Sequence, residues 1–131
     1  MQYLNNLISF TDSRGSLVSI EGGVNIPFDI RRVFYIYGVP SGSKRGGHAH
    51  HNAKQFITCL NGGFNLEVID RSGTIKYIMS NPTIGVYVPE LSWTNLSDFL
   101  PSTIAVVFSD SFYDQSDYIK SYEVFSKIIT A

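Results

Sequence analysis

Apolar and polar positions alternate along most of this chain, in runs of five to eight residues set apart by turn signals. Ile30-Arg31-Arg32-Val33-Phe34-Tyr35-Ile36-Tyr37 is rich in aromatic and branched side chains and predicts a strand. Its period of two puts Arg31, Val33, Tyr35 and Tyr37 on one face, and Ile30, Arg32, Phe34 and Ile36 on the other. Phe64 to Ile69 alternates cleanly and turns at Asp70-Arg71-Ser72-Gly73 into a returning strand, Thr74 to Met79. Further strands are predicted at Leu7–Phe10, Ser16–Ile20, Gln55–Leu60, Ile84–Val88, Leu91–Leu96 and Ser102–Phe108. Ile26-Pro27-Phe28 reads as an edge or connector, because proline gives no donor to a ladder. Lys120 to Ile129 fits either a short helix or a closing strand. Many short strands at this spacing predict an all-β jelly roll, barrel or sandwich, rather than alternating strand–helix units. Such a barrel is open at one end and holds small ligands among inward side chains. No linker, repeat or low-complexity stretch divides residues 1–131, so one domain is expected.

One stretch breaks the apolar rhythm. Arg45-Gly46-Gly47-His48-Ala49-His50-His51-Asn52-Ala53-Lys54-Gln55 holds all three histidines of the protein. In a strand, His48 and His50 point to the same face and His51 to the other. The two glycines let a backbone or ligand approach closely. Arg45 adds a planar fork suited to phosphate or to a developing oxyanion. His-x-His is half of a familiar metal site, but the partner five residues on is the amide Gln55, and no histidine follows. Two imidazoles and an amide are a poor donor set for zinc, iron or nickel. A site without metal, in which imidazole moves protons, is therefore expected.

Composition narrows the classes. The chain has 131 residues, 44% apolar and 14% aromatic, enough for a real core. A net charge of −1 provides no basic field for nucleic acid, and no basic amphipathic segment suits a membrane surface. Cys59 is the only cysteine, so no internal disulfide forms. Met1-Gln2-Tyr3-Leu4-Asn5-Asn6 lacks the charged and apolar regions of a signal peptide. No apolar run approaches the roughly 20 residues that span a bilayer. A cytoplasmic location is expected.

Arg45-Gly46-Gly47-His48-Ala49-His50 resembles the R-G-x-H-A-H motif of the cupin sugar-nucleotide 3,4-ketoisomerases. Asp12-Ser13-Arg14-Gly15-Ser16-Leu17, Pro27 to Phe34, Trp93, and Tyr113-Asp114 with Asp117-Tyr118-Ile119 are similar to that family in the same order. The resemblance implies a jelly-roll cupin with no metal or other cofactor. It also implies a homodimer, in which the Leu7–Ile20 segment is a plausible exchanged element. The implied reaction moves the carbonyl of dTDP-4-keto-6-deoxyglucose from C4 to C3, a step in deoxysugar biosynthesis. Such sugars end in lipopolysaccharide O-antigen, S-layer glycans or antibiotics.

The candidates for catalysis are His48, His50, Tyr37 and Arg45. The candidates for substrate binding are Arg14, Arg32, Tyr35, Gln55 and Trp93, with Arg31 an alternative to Arg32 and Tyr87 an alternative stacking surface for thymine. More distantly the chain resembles dTDP-sugar 3,5-epimerases; a non-catalytic or metal-dependent sugar-binding cupin is the third reading. Thr94 stands where the ketoisomerases often carry histidine. The same side-chain types serve reprotonation on either ring face, so galacto and gluco products both stay open.

Overall fold

The alternating runs pair into two five-stranded antiparallel sheets in a computed structural model that describes residues 3–131. In chain order the strands are β1 (Leu4–Asn6), β2 (Ser9–Asp12), β3 (Gly15–Val18), β4 (Arg32–Tyr37), β5 (Arg45–His50) and β6 (Gln55–Asn61). There follow β7 (Phe64–Asp70), β8 (Gly73–Met79), β9 (Ile84–Val88), β10 (Trp93–Ser97), β11 (Ile104–Ser109) and β12 (Tyr118–Ile119). A single 3-10 turn, Gln115–Asp117, precedes β12, and the helix α1 spans Tyr122–Thr130. One sheet runs β1-β9-β6-β11-β4 and the other β12-β5-β10-β7-β8. The hairpin β2–β3 stands apart from both. The start of the chain, Met1-Gln2, which entered the signal-peptide reading, lies outside the described residues.

The inward positions of the two sheets form the core. Ile57, Cys59, Val86, Val88, Ala105 and Val107 from one sheet meet Phe64, Leu66, Val68, Met79 and Leu96 from the other. Each large aliphatic or aromatic side chain in that layer contributes about 1.5–3 kcal/mol through burial. Of the two alternatives for Lys120 to Ile129, the helix forms. Ser121 caps it, its hydroxyl accepting from the Val124 amide at 3.2 Å. Phe125 is fully buried against Trp93, Ala49 and Ile119, so α1 covers the outer side of the histidine strand.

The pairing of β5 with β10 carries an irregularity that shapes the site. Thr94 stands opposite His48 and Asn95 opposite Gly46, so the ladder slips by one residue at Gly47. Such a bulge needs a backbone conformation open to glycine. Gly46 has φ +80°, and a Cβ placed there would lie 2.7 Å from the Thr94 carbonyl oxygen. Gly46→Ala should therefore cost about 1–2 kcal/mol in backbone conformation, with roughly 1–3 kcal/mol more from crowding. Together these make about 2–5 kcal/mol, so we expect Tm to fall by roughly 7–18 °C in calorimetry; an unchanged Tm would mean that the bulge relaxes freely.

Candidate active site

Where the sheets splay apart beyond the core, a cavity of about 380 Å³ opens between β4, β6 and β11 on one side and β5 and β10 on the other. Its polar lining is Arg32, Arg45, His48, Gln55 and Thr94, and its aromatic rim is Tyr113 and Tyr118. The i, i+2 spacing does what alternation demands. His48 and His50 share the inner face of β5 with ring centroids 5.2 Å apart, edge to face. Ala49 between them packs outward against α1, and His51 is exposed. His48 is on the cavity wall. His50 is buried behind it, with Nε2 3.4 Å from Nε2 of the Gln55 amide.

Tyr118 lies against both imidazoles, 4.9 Å from His48 and 4.4 Å from His50 between centroids. It arrives through β12, which adds to the edge of β5 with Tyr118 opposite His50. On the other side of His50, Nδ1 is 3.4 Å from Oδ2 of Asp117. That separation is within ion-pair reach but falls short of a full hydrogen bond, and Nδ1 has no other partner. Asp117 also accepts from the amides of Asn52 at 2.9 Å and Ala53 at 3.1 Å.

The electrostatics favour neutral imidazoles. Burial, reinforced by His48 and Arg32, lowers the His50 pKa to about 4, against the opposing pull of Asp117. Burial also lowers His48, with Lys120 and Arg45 acting in the same direction. Both rings are thus proton acceptors at neutral pH. The unfolded chain takes up a proton at His50 near the ordinary value of about 6.5, which the folded protein refuses. Stability is therefore expected to fall as pH drops from about 6.5 towards about 4 and to level off below, by up to about 3 kcal/mol. Thermal melts between pH 7 and 4 check this: His50→Asn should flatten the slope, and a parent protein with no slope would contradict it.

Arg32 brings an unpartnered donor to the cavity wall. Its guanidinium sits over Phe34 at 5.2 Å and Tyr113 at 5.6 Å, and its buried Nε has no partner. A planar cation within reach of two ring faces, with an unmet donor on a cavity wall, suits a phosphate oxygen.

The cavity thus gathers His48, Arg32, Arg45 and Gln55, with His50 directly behind. The remaining residues singled out from the sequence lie elsewhere in this chain. Tyr35 and Tyr37 are 65% and 72% exposed on the outer face of β4, because the inward register belongs to Arg32, Phe34 and Ile36. The phenol beside the imidazoles is instead Tyr118. Trp93 is buried under α1 against Phe125 and Tyr122, while its neighbour Thr94 faces the cavity. Tyr87 packs on Tyr3 and Phe28, apart from the cavity lining. Arg14 is at the exposed turn of the β2–β3 hairpin, paired with Asp12 at 2.6 Å. Asp117 and Tyr118 stand in the sequence as part of the family resemblance without a role in the site; their signal is the polar-aromatic run Tyr113 to Ile119.

Among the described residues no group of three or more His, Cys, Asp or Glu side chains is placed to hold a metal ion, and no helix is long and apolar enough to cross a membrane.

A two-sheet sandwich whose open end carries paired imidazoles and guanidiniums is of the cupin-like class. The chain belongs to the family described as FdtA: WxcM-like, C-terminal, which matches residues 2–130. It is 40% identical over 129 residues to the TDP-4-oxo-6-deoxy-alpha-D-glucose-3,4-oxoisomerase of Aneurinibacillus thermoaerophilus, covering 95% of this chain and 92% of that one. The 3,4-ketoisomerase QdtA from Thermoanaerobacterium thermosaccharolyticum has been solved with asparagine in place of a histidine and TDP-4-keto-6-deoxyglucose bound. It superposes with a TM-score of 0.93 at 31% identity, over 97% of this chain and 92% of that one. The dTDP-4-dehydrorhamnose 3,5-epimerase of Bacillus anthracis shares the fold at a TM-score of 0.77 and 18% identity, over 88% of this chain and 75% of that one.

Proposed function

We propose that this protein is an isomerase that moves the keto group of dTDP-4-keto-6-deoxy-D-glucose from C4 to C3 through an enediol. The observation that carries the reading is the juxtaposition of two neutral imidazoles with an unsatisfied guanidinium across one cavity. The chemistry needs those parts. A base removes the C3 proton while a donor protonates the C4 oxygen; the protonated base then delivers a proton to C4 of the enediol, and the group that served as donor takes the C3 hydroxyl proton as the C3 carbonyl forms. No net oxidant or reductant enters. His48, on the wall, takes and returns the carbon-bound proton, a role worth about 10²–10⁴-fold for a positioned base. Arg32 and Arg45 hold the diphosphate or stabilise the oxyanion.

The whole of residues 1–131 acts as one cupin domain in the cytoplasm, as a homodimer. Val33, Tyr35 and Tyr37 on the outer face of the edge strand β4, and Phe10 and Leu17 on the hairpin, leave apolar surface that a second copy covers. The hairpin, exchanged between copies, carries Arg14 to the partner's cavity. Sedimentation at micromolar concentration should give a dimer; a monomer would contradict it.

Product analysis by NMR in D₂O tests the reaction. The expected product is the 3-keto sugar with deuterium at C4 wherever the shuttled proton exchanges. Deuterium at C5 without carbonyl migration would replace this reading with the 3,5-epimerase. Tight binding with no turnover, or a metal that survives dialysis and governs binding, would replace it with a sugar-binding cupin.

A further inference from the structure

Asp117 does more than close a turn. Its side chain is 10% exposed and that of His50 only 7%, so the two face each other with little access for water. The carboxylate is held independently of His50. Oδ1 accepts from the Asn52 amide at 2.9 Å and from Asn52 Nδ2 at 3.1 Å; Oδ2 accepts from the Ala53 amide at 3.1 Å. The Asp117 carbonyl accepts from the His51 amide at 2.9 Å. Four donors from the β5–β6 turn therefore fix the acceptor, and Oδ2 still faces the otherwise unpartnered Nδ1 of His50.

We propose that Asp117 is a positioning residue, which holds His50 as the Nδ1–H tautomer and leaves Nε2 as its basic nitrogen on the side of the cavity-lining Gln55. Which ring nitrogen bears the proton is set by the hydrogen bond the other one makes. A carboxylate can only accept, so it selects the N–H on the side it faces. The Gln55 amide, with Nε2 towards His50 Nε2, favours the same tautomer by donating. A separation of 3.4 Å is of the length that proton-transfer contacts often have in ligand-free enzymes. Other groups face the ring as well: His48 from β5, Arg32 from β4, Gln55 from β6 and Tyr118 from β12. None of them supplies an acceptor to Nδ1. Because burial keeps His50 neutral at pH 7, a single tautomer can be selected.

This inference rests on the ketoisomerase reading for its consequence, but its primary measurement needs no substrate. In the unaltered protein, ¹⁵N–¹H correlation of the imidazoles at pH 7 should show His50 protonated at Nδ1. Protonation at Nε2 would overturn the proposal even if the enzyme isomerises normally. Asp117→Asn is the second arm. An amide cannot accept from both the Asn52 side and the Ala53–His50 side, so the His50 tautomer should change. With dTDP affinity unchanged, kcat should fall about 10–10²-fold, part of the roughly 10²–10⁴-fold worth of a positioned proton-transfer group. A folded variant with kcat within about threefold of the parent, or with His50 still protonated at Nδ1, would make Asp117 a brace of the turn only. Should that variant not fold, the tautomer in the unaltered protein decides. Absence of isomerase activity in the parent would overturn the ketoisomerase reading and leave the tautomer result standing.

Discussion

Asparagine in place of His48 is expected to cut kcat by about 10²–10⁴-fold, the worth of a positioned general base. Affinity for dTDP should stay within about threefold, because charge recognition belongs to the arginines. His48 is the imidazole on the cavity wall, backed by His50 and flanked by Tyr118. An amide fills similar volume but offers no nitrogen that titrates. The same substitution at His50 should also abolish turnover, since it removes the second proton-transfer ring. Turnover followed by NMR and dTDP binding followed by calorimetry separate the two effects. A His48→Asn enzyme within tenfold of the parent would remove His48 as the base. Loss of nucleotide binding in both variants would show that the rings position substrate instead.

The second large effect belongs to Arg32. Its guanidinium lies over Phe34 and Tyr113 with a buried Nε that meets no acceptor among the described residues. A buried donor left unmet is costly, so a ligand that meets it gains free energy. Arg32→Ala should weaken dTDP binding by about 10–100-fold, equivalent to the roughly 1.5–3 kcal/mol of a hydrogen bond to a charged group. KM should rise with kcat little changed, the pattern of an interaction equal in ground and transition states. Arg32→Lys should recover only part, because ammonium neither stacks flat on two rings nor presents a fork. Unchanged affinity in Arg32→Ala would place the diphosphate elsewhere. An equal fall in kcat and kcat/KM would move Arg32 to the enediolate.

The strands were legible because their period of two is local: Ile84 to Val88 and Phe64 to Ile69 occupy strands within a residue of expectation. The histidine pair was legible for the same reason, since i, i+2 on a strand fixes a shared face. Alternation alone does not say which face looks inward. Val33, Tyr35 and Tyr37 and the opposite set Arg32, Phe34 and Ile36 are both rich in apolar groups, and the cavity took the second. Trp93 and Thr94 swap sides on the same principle, so the aromatic residue joins the α1 contact and the threonine lines the site. Lys120 to Ile129 became a helix through its cap and the docking of Phe125, a tertiary contact. Asp117 and Tyr118 escaped because their partners are in a distant strand; Asn52 and Asp117 are 65 residues apart.

That separation also has a temporal side. A ribosome adding roughly 5–20 residues per second delivers Asp117 about 3–13 seconds after Asn52. Until then β5 has β10 on one side at most, and its other edge is bare. Bare edges are templates for pairing with other chains. Tyr118 and Ile119 are the residues that end this exposure, by pairing with His50 and Ala49. The histidine cluster and the cover of the β5 edge, which guards the nascent chain against misassociation, are thus completed in one late event.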